Sequence, residues 1–192
     1  GYGEEWVLEA ERRGLANLKD TPRALQIWHD KNVAKLFDEM GVLSPRELDA
    51  RREIEFENYV LKIQIESRLM GDMIQNSFIP AAVEYQNKLI TNVQGLLNIL
   101  GDKAGKAASK AQIEIIEKIS MHMNKMKSAS DAMLEQRKIA NKLEHAEEKA
   151  LAYCDNVKSH FDEIRYHADK LELLVEDELW PLPKFREMLF TR

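Results

Sequence analysis

The chain has 192 residues, a formal net charge of −5 and a single cysteine, Cys154. These exclude an internal disulfide, and an acidic chain with no basic stripe is no generic nucleic-acid binder. No apolar run approaches the roughly 18 residues of a membrane span, and the first residues carry no signal-peptide pattern. Hydrophobic residues make up 44% and charged residues 32%, with eight Gly and five Pro. The rest is dominated by good helix formers, so the composition predicts an all-α protein.

The first helix is expected over about 4–13, stopped by Gly14. A second helical region starts where Asp20-Thr21 cap a helix with Pro22 in its first turn. It breaks near Asp30-Lys31 and ends at Gly41. "SPRE", Ser44 to Glu47, is a capping box and opens a long third helix through Tyr59, Ile63, Met70 and Ile74. Pro80 lacks a donor and clashes with the preceding turn, which predicts a kink or break with "NSFIP" unwound. The apolar stripe resumes as Ala82, Tyr85, Leu89, Val93, Leu96 and Leu100, at spacings of three and four, and stops at Gly101. "GDKAGKA" is expected to be a loop.

The next helix carries Ile116, Ile119, Met123, Met126 and Met133 and runs to about Leu143. A turn near Glu144-His145 follows on grounds of length, since one helix over 105–179 would span about 110 Å. The last helix carries Ala150, Tyr153, Val157, Phe161, Ile164, Ala168, Leu171 and Val175 up to Trp180. These stripes predict an antiparallel bundle of long helices over 44–180. A short helical portion, 1–43, precedes it and an extended tail, 181–192, follows.

Few residues offer chemistry. "GDKAGKAAS" fails as a phosphate loop, because the spacing is one short, Ala107 stands where Ser or Thr is needed, and no strand precedes it. His160, Glu163 and His167 share a helical face that could hold a metal, but the second Glu-x-x-His pair of a di-iron bundle is missing. The methionines Met121, Met123, Met126 and Met133 read as core, not as a pliable partner surface. Cys154 reads as a small buried hydrophobe. Gly71 inside a helix means close packing or a bend. The residues thus give no catalytic, cofactor-binding or metal-binding set.

The tail "DELWPLPKFREMLF" is too apolar to be left in water. Pro181 and Pro183 fix its direction. Trp180, Leu182, Phe185, Met188 and Leu189 are the expected docking contacts, on the portion around Trp6 and Trp28 or on a preceding domain.

Four stretches carry a family resemblance. "GYGEEWVLEAERRGLANLKDTPRAL" resembles the end of the catalytic domain of a type III glutamine synthetase. "IQIESRLMGD", "IPAAVEYQNKLI" and "AYCDNVKSHFDEIRYHADKLELLVEDELWPLPKFREMLF" resemble its helical C-terminal extension. The resemblance implies an ATP-dependent ligase that joins glutamate and ammonia, uses magnesium or manganese, and forms a cytoplasmic dodecamer of two stacked hexamers. It also implies that the metal, ATP and glutamate ligands lie upstream of Gly1, that this chain carries no cofactor, and that its role is structural or assembly-related. Its partners would be the rest of its own catalytic domain and further copies of itself, with no nucleic acid and no membrane. The residues by themselves also permit a free-standing helical module that binds partner helices.

Overall fold

The computed structural model describes residues 3–189, which form helices and turns with no strand among them. The protein is all-α. It comprises two compact units, residues 3–64 with 139–155, and residues 65–138 with 156–189.

The first unit opens with α1 (Glu4–Arg12), α2 (Thr21–Leu25) and α3 (Lys31–Glu39). Sequence signals set their ends. Asp20 accepts a hydrogen bond from the Arg23 amide at 2.9 Å, and Asp30 accepts from Asn32 at 2.7 Å, which satisfies amides that a helix start leaves unpaired. A single 3₁₀ turn, Gln26–His29, separates α2 from α3. Gly14 and Gly41 follow α1 and α3 with φ of 71° and 62°, the left-handed conformation that closes a helix cheaply only at glycine. Leu15 and Val42 then donate back to Ala10 and Phe37 at 2.8 and 3.0 Å.

Helix α4 (Pro45–Met73) starts at the Ser44 capping box, where the Ser44 amide donates to the Glu47 carboxylate at 2.8 Å. Its Leu48, Phe56, Tyr59, Val60 and Ile63 are buried. Helix α7 (Ala146–Ala152) follows the expected turn at 142–145 and packs on α2. Tyr153, wholly buried, donates to the Asn141 side chain at 2.7 Å.

In the second unit the chain stays helical before Pro80. Ile74–Phe78 form one π turn between α4 and α5 (Ile79–Ala108), so "NSFIP" does not unwind as expected. The wider turn accommodates the proline's missing donor within a continuous helical path. Gly101 does break α5, with φ 76° and ψ 166°. The expected loop beyond it is helical instead, and it folds back so closely that a Cβ on Gly105 would lie 2.7 Å from the Leu97 Cα. Leu100, expected in the core stripe, is exposed.

Helix α6 (Lys110–Asn141) runs antiparallel to α5: Gln86 donates to Ser120 Oγ at 2.6 Å, and Gln112 donates to Asn92 at 3.4 Å. Ile119, Met126 and Met133 are wholly buried on it, Met123 is half-buried, and Met121 is exposed. Gly71 sits against Leu134, where an added Cβ would meet the side chain at 3.2 Å, so close packing accounts for this glycine.

The expected single last helix is three pieces after α7: a π turn at Tyr153–Val157, a 3₁₀ turn at Lys158–His160, and α8 (Phe161–Leu174). It ends at Leu174 and not at Trp180. The run Glu176, Asp177, Glu178 explains this, because carboxylates oppose the negative pole of a helix C-terminus. The short α9 (Phe185–Met188) closes the described chain.

Candidate functional site

The seat of the C-terminal tail is built on the π turn at Pro80. Beyond α8, Val175 turns extended with ψ 143°. Leu179 and Trp180 then donate to the Glu176 carbonyl at 3.1 and 3.2 Å. This turn lays Trp180 flat on Phe78, with ring centroids 5.0 Å apart and planes 6° apart. Trp180 is only 7% exposed. Its indole nitrogen is buried without a partner among the described residues.

Lys184 fastens the tail a second time. Its ammonium donates to the Glu172 carbonyl at 2.7 Å and to the Asp177 carboxylate at 2.5 Å. A cation on the free carbonyls of a helix end opposes the macrodipole and fills unpaired acceptors. Sequence reading missed Lys184, although the only basic residue between Pro183 and an aromatic, following an acidic helix end, is a readable signal.

The remaining expected contacts are Leu182, Phe185, Met188 and Leu189. Leu182, Met188 and Leu189 are exposed. Phe185 begins α9, but its side chain lies outside the described residues, as does Phe190.

A second polar group, missed in the sequence, joins His122 on α6 to His167 on α8. Both are buried, and their Nδ1 atoms lie 2.9 Å apart. One ring must therefore donate and the other accept. Burial, then His167 and Lys170, lowers the pKa of His122 below the usual histidine value. The sequence had placed His167 with His160 and Glu163 as a possible metal face, but it faces another histidine.

In the first unit a cleft of about 660 Å³ is lined by His29, Asp49, Arg52, Glu53, Phe56, His145 and Glu147, among others. Glu147 accepts from Gln26 at 2.9 Å and pairs with His29 Nε2 at 3.1 Å, while Arg52 meets His29 Nδ1. The Gln26 hydrogen bond above all holds the Glu147 carboxyl below its usual pKa, so it stays ionised and is a latch, not a proton donor. Nearby, Arg23 forks onto Asp155 at 2.9 and 3.0 Å. Half-buried Cys154 lies beside Tyr59, whose phenol is pushed well above its ordinary pKa, chiefly by burial.

Residues 1–96 match the family described as glutamine synthetase C-terminal domain. The chain belongs to that family. All of it also aligns with a glutamine synthetase of Bacteroides fragilis at 41% identity, covering 26% of that protein. A type-3 glutamine synthetase of Dictyostelium discoideum aligns at 33% over the whole chain and 26% of its own length. A glutamine synthetase of Butyrivibrio fibrisolvens does so at 33%, over 27% of its length. The chain thus spans about a quarter of the curated relatives it matches.

In this glutamine synthetase C-terminal domain the described residues do not fit the groups such a ligase uses. No cluster of three His, Cys, Asp or Glu side chains among them could hold a metal ion, and the Gly101–Gly105 stretch presents a helix in place of a phosphate cradle. Among the described residues no helix is long and apolar enough to cross a membrane.

Proposed function

We propose that this chain is the C-terminal helical region of an ATP-dependent ligase that makes glutamine from glutamate and ammonia, and that its role there is structural. Residues 1–43 are the end of the catalytic domain, 44–180 the helical extension, and 181–192 a tail that docks on the enzyme body. ATP and magnesium or manganese are bound upstream of this chain, in a cytoplasmic dodecamer of two stacked hexameric rings.

The observation that carries this reading is the alignment of every residue here with only a quarter of each relative. The surface of the N-terminal portion supports it. Between residues 3 and 43 only Ala10 and Pro22 are buried, while Trp6, Leu8, Leu15, Leu36, Met40 and Val42 are exposed. So much apolar surface in one short stretch marks a face made to be covered. The exposed tail residues Leu182, Met188 and Leu189 suit a contact of the same kind.

The test is an assay of the purified 192-residue chain for γ-glutamyl transfer and for ATP binding. Neither is expected. Turnover by this chain alone would overturn the structural role.

A further inference from the structure

Within the second unit a two-helix arm runs on beyond the end of α8. Two contacts mark the side on which α8 packs. His167 meets His122 on α6, and Lys88 on α5 donates to Glu176, just past α8, at 2.8 Å. The chain then turns back to lay Trp180 on Phe78. Residues 89–116 therefore project past α8 as a hairpin that turns at Gly101. Among them only Gly105 and Ser109 are buried, while Val93, Leu96, Leu97, Ile113 and Ile116 are left half-buried. An apolar helix stripe needs a second layer to cover it.

The side that carries α8 continues bare to the tip on both arms. At about 100° per residue, Asn92, Gly95 and Ile99 lie within about 40° of Lys88, and Ala104, Ala108 and Ala111 lie within about 40° of His122. Asn92 and the three alanines are exposed, and Ile99 is exposed by 82%. An added Cβ on Gly95 would meet nothing within 4 Å. This floor is made largely of small residues and is uncharged. No charged residue occurs from Leu89 to Gly101, and Asp102, Lys103, Lys106, Lys110 and Glu114 all lie about 80° or more from His122.

We propose that a second copy of the chain docks on this floor, hairpin on hairpin and antiparallel, about a two-fold axis level with Gly95. Shape decides the orientation. In a parallel pair the two α8 helices would fall at one level and hold the floors apart. In the antiparallel pair each tip fills the step at the end of the other α8. That step runs from Lys88 to Gly101, so its midpoint falls at Gln94 and Gly95. On the second arm Gly105 lies against Leu97 and Gln112 reaches Asn92, which brings Ala108 to the same level. The axis thus passes two of the smallest residues on the floor, where helices can approach closely. Ala104 then falls near Ala111 of the second copy, and Ile99 near Asn92 of the second copy. Each contact occurs twice, as an isologous interface requires. Two uncharged floors meet without setting like charges together, which would be costly. Each floor measures about 18 by 20 Å. The two together cover about 700 Å², small for a stable complex, so the dimer should be reversible. This pairing does not rest on the ligase reading.

Sedimentation equilibrium of the 192-residue chain over a range of concentrations tests it. The wild type is expected to dimerise. Gly95 and Ala108 are both open in the single chain, so Gly95→Leu and Ala108→Glu should keep its helicity by circular dichroism. Each should weaken the dimer about tenfold or more, the first by bulk and the second by like charge at the axis. Lys106→Glu, on the far side of the arm, should leave the constant within about twofold. Ala108→Cys in a Cys154→Ser background should cross-link under a mild oxidant, because facing helices can bring α-carbons within the about 7 Å that a disulfide allows. Lys106→Cys in the same background should not. A monomer at every concentration overturns the proposal. So does a dimer indifferent to either Gly95→Leu or Ala108→Glu, one equally sensitive to Lys106→Glu, or one that cross-links at 106 and not at 108.

Discussion

Residues 3–43 and helix α6 are both helical and both well signalled, yet they differ in what they bury. The N-terminal portion has short-range order: side-chain caps at Asp20 and Asp30, and left-handed glycines at its helix ends. Helix α3 even segregates its apolar residues to one side, and buries none of them. Helix α6 has no residue as decisive as those caps, but Ile119, Met126 and Met133 are wholly buried on it. Local signals place a helix, and burial holds it. In the N-terminal portion the second is left to protein beyond this chain, on the reading proposed above.

The sharpest way to break that contrast is to truncate one residue in each region. Met126→Ala should cost about 2–5 kcal/mol, as large-to-small core changes do, in urea unfolding of the purified chain. Leu36→Ala in α3 should stay within about 0.5 kcal/mol, like other surface changes. Equal costs would erase the distinction. Trp180→Ala should follow at about 3 kcal/mol, with loss of near-ultraviolet circular dichroism from the stack on Phe78, while Leu189→Ala leaves the same curve unmoved.

Two glycines in α5 give a finer contrast. Gly105→Ala should destabilise by about 1–3 kcal/mol, the scale of overpacking, because its Cβ meets the Leu97 backbone. Gly95 has nothing within 4 Å of an added Cβ, so Gly95→Ala should stabilise by up to about 1 kcal/mol through helix propensity. Both are read from thermal midpoints. Asp20→Ala should cost about 1 kcal/mol as a lost cap, showing that caps contribute where burial does not.

The smallest effect is one of pH. The folded-state pKa of His122 is lowered, mainly by burial. Its unfolded value is about 6.5. Protons therefore prefer the unfolded chain, and stability present above that pH is lost as pH falls through the unfolded value toward the folded one. Denaturation of the His122→Gln chain should fall less steeply over this window than that of the wild type.

Much of the fold was legible. Gly14, Gly41, Gly101, the Ser44 capping box and the turn before Ala146 all mark boundaries where the structure has them. Apart from the turn, which only the length of the helical pattern required, each is a local event within four or five residues. What was hidden depends on partners far along the chain. His122 and His167 are 45 residues apart, and no spacing rule connects them. The two π turns keep a helical pattern and so leave no break to read. The end of α8 was misjudged because the prolines at 181 and 183 gave the louder stop, although the acidic run before them already opposed the helix end. Lys184 was hidden for the same reason, since its role exists only once that end is known.

The central claim is that residues 3–43 are ordered by a domain outside this chain. Hydrogen exchange of their amides tests it most directly, measured in the isolated chain and again in a polypeptide carrying a glutamine synthetase catalytic domain ahead of it. Fast exchange is expected through α1 and α3 in the isolated chain and strong protection in the longer one, with α6 protected in both. Equal protection of α1 and α3 in the two proteins would contradict it.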